Sequence, residues 1–227
     1  MNSEQATALS DGVLALEALG LAGLLWWRRP AAAETAGPLA ALLAATGIAA
    51  ALGGAWHAGQ PDLAPAAGFW LWKLTLVAIG LGDACLLAAF ARAPALRPRA
   101  RLARGVILGK LAVYGACIVA TDSFLPALGD QVLTLAAGLA VIAWDATHEG
   151  RLPGSWLAAA IGLALAGGVI QAAGLDVGGL LNHNVLYHLC VMLALAGFWA
   201  AARIWDHAGA PKPSTSASTV VSEDSAP

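Results

Sequence analysis

LNHNVLYHLCVMLALAGFWAAARIW, residues 181–205, opens on two asparagines and two histidines and then runs apolar as far as Arg203. A helix that crosses hydrocarbon needs about 20 mostly apolar residues, and this run supplies them. Its polar first turns therefore read as the mouth of a membrane helix. Working outward from it, six further stretches meet the same test: approximately 7–27, 38–58, 67–91, 104–121, 125–145 and 153–174, with the quoted run filling 180–205. Connections such as RRPAAAETAGP, AGQPDLAPAAG and THEGRLPG carry the Pro, Gly and charge that interrupt helices. The expected fold is an all-α integral membrane protein, a seven-transmembrane helix bundle over residues 1–207, with a disordered Ser, Ala and Pro-rich cytoplasmic tail at 208–227.

Composition agrees. Of 227 residues, 59% are hydrophobic and only 11% charged, against roughly a quarter charged in a soluble domain. Mean hydropathy is +0.72. A net charge of −2 is too small to imply a nucleic-acid or acidic partner. Cys85, Cys117 and Cys190 lie in apolar runs and are odd in number, which fits small buried side chains rather than a disulfide framework. The N-terminus, MNSEQATALSDG, has no basic segment of the secretory type, so the first apolar run is expected to remain as an anchor.

Lys and Arg in short loops mark the cytoplasmic side. Here they occupy alternate connections: Arg28 and Arg29, then Arg92, Arg97, Arg99, Arg101 and Arg104, then Arg151, and finally Arg203 and Lys212. This pattern predicts the N-terminus outside and the C-terminus inside, in a multi-pass protein of the bacterial inner membrane type. Trp56, Trp70 and Trp72 then fall at outer helix ends, and Trp26, Trp27, Trp144, Trp156, Trp199 and Trp205 at inner ones.

Ionisable groups within membrane helices are costly and face the bundle interior or a water-filled space. With the orientation above, Asp11, His57, Lys73, Asp130, His183 and His188 share the outer half, so three of the five histidines reach one level. Three imidazoles match a catalytic zinc site, in which three protein ligands leave a fourth position for water. Polar capping of a helix end is the other reading of each histidine taken alone. His183 and His188 are five apart, about 140° around a regular helix, whereas a four-residue step would share a face. Capping at Asn182 or Asn184 would leave His183 in an irregular first turn, free to swing inward, with Gly178 and Gly179 supplying the approach.

A histidine ending the second span and paired histidines in the seventh, within NHNVLYH, resemble the superfamily that joins alkaline ceramidases with adiponectin-receptor-like proteins. That resemblance covers most of the chain and implies a seven-helix, zinc-dependent hydrolase of lipid amides. Carried over, His57, His183 and His188 would be the zinc ligands. The chain departs from the pattern at Gly53, where the family has Ser four residues before the span 2 histidine. It departs again in the five-residue histidine step, and in having no intramembrane Asp after His57. Ser10 and Asp11 of LSDG offer themselves as substitutes from span 1.

The leading expectation is thus zinc-dependent hydrolysis of a lipid amide or ester bond in the outer half of the bundle. In it Asp11 acts as general base or ligand-orienting partner, Lys73 stabilises the oxyanion, and Ser10, Asn182 and Asn184 support the site. Two other classes remain open: a haem-binding redox protein using His57 with His183 or His188, and a non-catalytic receptor or transporter using Asp11, Glu17, Lys73 and Asp83. For Lys73, a purely structural ion pair with Asp11 or Asp130 stands beside both.

Overall fold

The computed structural model describes residues 2–28, 35–60, 62–148, 152–178 and 181–208. The tail beyond Ala208, Gly179, and the loop cations Arg29, Arg151 and Lys212 lie outside the described residues. Seven long helices account for most of the rest: α1 (Ser3–Arg28), α2 (Ala36–Gly59), α3 (Pro65–Phe90), α4 (Ala100–Ala120), α5 (Leu125–His148), α6 (Gly154–Ala173) and α7 (His183–Ala208). A short 3₁₀ turn, Pro94–Arg99, leads into α4. All seven are long and apolar enough to cross a membrane.

Helix ends follow local chemistry. Pro65 opens α3 in the first turn, where its missing N–H costs nothing. Gly174 stops α6 in the left-handed conformation, at φ 61°. Asn182 caps α7 by accepting the Val185 N–H at 2.9 Å.

The helices close a ring in the order α1, α2, α3, α5, α6, α7 and back to α1, while α4 packs outside against α3 and α5. Only Tyr114 and Ile118 of α4 are buried. Between helices in an apolar solvent the driving forces are close packing and polar links, each link contributing about 0.6–2 kcal/mol. Tyr114 donates its hydroxyl to the Leu76 carbonyl at 2.6 Å, and Lys110 pairs with Asp130 at 2.7 Å. The Asn182 side-chain amide donates to Ser3 Oγ at 2.8 Å and Thr7 Oγ1 at 3.0 Å, tying α7 to α1.

The bundle divides along its length. Leu39, Leu43, Phe90, Leu157, Ile161 and Phe198 form a dry apolar core at the end holding the C-termini of α1, α3 and α7. The opposite end, with the N-termini of α1 and α7 and the C-terminus of α2, encloses a cavity that sets a few polar groups in a mostly apolar wall.

Candidate functional site

Asp11 lies one-third of the way along α1 and is buried. It fits there because α2 presents two glycines: a Cβ on Gly54 would stand 3.0 Å from Asp11 Cβ, and one on Gly53 would stand 3.6 Å from Asp11 Oδ1. The glycine pair before His57 therefore makes room for a carboxylate. His188, in the second turn of α7, points its Nε2 at Asp11 Oδ1, 3.3 Å away. Its Nδ1 lies 2.8 Å from Ser10 Oγ, and Ser10 Oγ is also 2.8 Å from the Thr7 carbonyl.

The Ser10 hydroxyl has one proton, so it can serve the Thr7 carbonyl or His188 Nδ1 but not both, and only the first choice makes both contacts hydrogen bonds. With Ser10 donating to the Thr7 carbonyl, Ser10 Oγ accepts from His188 Nδ1–H, and Nε2 keeps a lone pair facing Asp11. With Ser10 donating to His188 Nδ1 instead, the Thr7 carbonyl loses its donor and Nε2–H donates to Asp11. Either way the imidazole is clamped between α1 residues, and only the first assignment leaves Nε2 able to bind a cation.

His57 is held in the same manner, its Nδ1 2.7 Å from Glu4 Oε2. His57, His188 and Asp11 line one cavity of about 180 Å³, with Gln171 and Asn184 on another side and Trp56, Trp72 and Phe124 as an aromatic wall. Gln171 donates its amide to Asn184 Oδ1 at 2.8 Å. Ser10 does not line the cavity. It reaches the site only through His188, as a positioning residue.

His183 is elsewhere. Rather than swinging inward, it opens α7 facing Asp176, whose Oδ1 accepts both the His183 backbone N–H at 2.6 Å and the ring Nδ1 at 3.0 Å. An anion at a helix N-terminus satisfies free N–H groups, and here it draws the imidazole with it. The two bonds hold the Asp176 carboxyl below its usual range, the backbone bond contributing most. Lys73 is also drawn away from the cavity. Its ammonium donates to the Ile118 and Thr121 carbonyls at 2.5 and 2.8 Å and pairs with Asp122 at 2.8 Å, capping the end of α4. Its structural partner is thus neither Asp11 nor Asp130.

Gln171, which lines the cavity, and Glu4, which reaches it through His57, were passed over by sequence reasoning. Glu4 is seven residues before Asp11, two turns along the same face of α1, and that spacing was the available signal. Gln171 left no comparable mark.

Two ligands on a tetrahedral zinc, each at about 2.1 Å, stand about 3.4 Å apart, close to the His188–Asp11 separation of 3.3 Å. His57 lines the same cavity as a third donor. Among the described residues, however, no three His, Cys, Asp or Glu side chains already converge as a ligand group.

The family model described as a family of unknown function, DUF6962, matches residues 6–207, nearly the whole helical bundle. The chain belongs to the DUF6962 family. No curated protein and no solved structure matches it. As a DUF6962 member it takes no activity from its family, and nothing in that match joins it to the ceramidase and adiponectin-receptor superfamily.

Proposed function

We propose that this DUF6962 protein is a zinc-dependent membrane hydrolase acting on an amide or ester bond of a lipid, with its site in the outer half of an N-out, C-in bundle. The alternate cationic loops support that orientation. The observation that carries the reading is the anchoring of both cavity histidines through Nδ1, His188 to Ser10 and His57 to Glu4. Metal-binding histidines are oriented in this way, the second ring nitrogen donating to an oxygen. His188, Asp11 and His57 would hold the ion, with Asp11 replacing His183 in the ligand set expected from the sequence.

When bound, zinc supplies Lewis acidity toward a carbonyl oxygen and toward water. Ser10 and Glu4 fix the two imidazoles. Glu4, half exposed, links His57 to solvent and offers an acceptor for the proton that hydrolysis releases. With Lys73 committed to α4, the amides of Gln171 and Asn184 are the polar groups left to orient a substrate carbonyl. Trp56, Trp72 and Phe124 give an acyl chain an apolar wall. At about 180 Å³ the cavity is smaller than the roughly 300–1,000 Å³ typical of drug-sized ligands, room for an ion and the reacting end of a lipid but not for a haem macrocycle.

Elemental analysis of the purified, detergent-solubilised protein tests this, with an absorbance scan of the same sample. The expected result is near one zinc per chain, no Soret band, and loss of zinc in His188→Ala. Absence of zinc after reconstitution, or a Soret band, overturns it.

A further inference from the structure

A second group of charges sits apart from the histidines, where α3, α4 and α5 meet. Asp83 and Asp130 are both buried, 6% and 7% exposed. Lys110 reaches in from α4 to Asp130 Oδ2 at 2.7 Å. Asp83 lies close enough to Asp130 and Lys110 to feel both charges, yet its Oδ2 is buried with no hydrogen-bond donor.

Two ionised carboxylates and one ammonium leave this cluster at −1 in a place where an unbalanced charge is costly. One added proton brings it to zero and supplies the donor that a carboxyl–carboxyl hydrogen bond requires. The other groups around Asp83 bring no balancing charge. From α4 and α7 come Tyr114 and Tyr187, from α5 the neutral Gln131, and from α2 only Leu42 and Thr46.

Asp83 also lines a cavity of about 70 Å³. Thr46, Ile79, Tyr187 and Val191 line both this chamber and the histidine cavity, so the two share walls. We propose that Asp83 and Asp130 form a membrane-embedded proton site that exchanges one proton with water through the adjoining histidine cavity. On uptake a proton leaves water for the carboxyl pair, and the cluster changes from −1 to 0. On release the same proton returns to water. The site stands whether or not zinc is held at His188.

Infrared spectroscopy of the purified full-length protein tests the proposal. The wild type at neutral pH should show a protonated-carboxyl C=O band that Asp83→Asn removes and that shifts downward in D₂O buffer. Should Asp83→Asn not fold, Asp83→Glu keeps the acid on a longer stem and must move the band without abolishing it. A band untouched by either variant overturns the assignment to this pair. A wild type whose protonated-carboxyl bands all fail to shift in D₂O overturns exchange, leaving a sealed acid pair.

Discussion

Replacing Ser10 with Ala removes the oxygen that holds His188 Nδ1 at 2.8 Å while leaving every cavity-lining side chain in place. A hydrogen bond contributes about 0.5–1.5 kcal/mol net, and the upper end is taken for one buried on both sides. Since about 1.4 kcal/mol corresponds to tenfold in an equilibrium constant, the Ser10→Ala protein should bind zinc about tenfold more weakly. That is the lower end of the roughly 10–100-fold loss seen when a ligand-orienting partner is removed. Competition against a chromophoric chelator, with the purified protein in detergent, measures the change. His188→Ala should retain no zinc, and His183→Ala should match the wild type, because its imidazole is bonded to Asp176 outside the cavity. Two results would refute the reasoning. Wild-type affinity in Ser10→Ala would mean that the Ser10 contact does not orient the ligand. Zinc loss in His183→Ala as complete as in His188→Ala would place His183 in the ligand set after all.

Gly80→Ala should loosen α4, because the added Cβ would fall 2.2 Å from Tyr114 Cε1; overpacking of this kind costs about 1–3 kcal/mol, read as a lower midpoint of thermal unfolding. Lys73→Met should also lower that midpoint, by an amount equivalent to about 1–3 kcal/mol, since the Ile118 and Thr121 carbonyls lose a charged donor. Zinc content should not change in that variant; a selective loss of zinc with unfolding unaltered would return Lys73 to the site. Asp176 gives a pH dependence. Because its folded-state value is lowered, its hold on α7 is complete above the ordinary Asp value of about 3.9 and fades as pH falls below it. Amide protection at residues 183–186 should drop over that range, and Asp176→Asn should show the weaker protection at every pH.

The helices were legible because hydrocarbon imposes length and apolarity, which are properties of consecutive residues. The run expected at 38–58 is α2 at Ala36–Gly59, and 153–174 is α6 at Gly154–Ala173. Even Lys110, an awkward charge in its helix, is accommodated by Asp130 across the α4–α5 contact. The site was legible in part. Residues Asp11, His57 and His188 line one cavity, and depth in the membrane had grouped them. Depth is only one coordinate, though, and it grouped His183 and Lys73 with them. Both bind partners that lie close to them at the helix ends, Asp176 for one and the end of α4 for the other.

By itself the sequence determined seven helices of membrane length, their breaks and the level at which the imidazoles collect, since these follow from local composition and a fixed rise per residue. Only the tertiary structure decided which face of each helix looks inward, that Gly53 and Gly54 admit Asp11, and that Ser10 rather than a metal-side partner holds His188 Nδ1. Those outcomes depend on rotation about helix axes and on contacts between residues as far apart as 10 and 188, which no local pattern encodes.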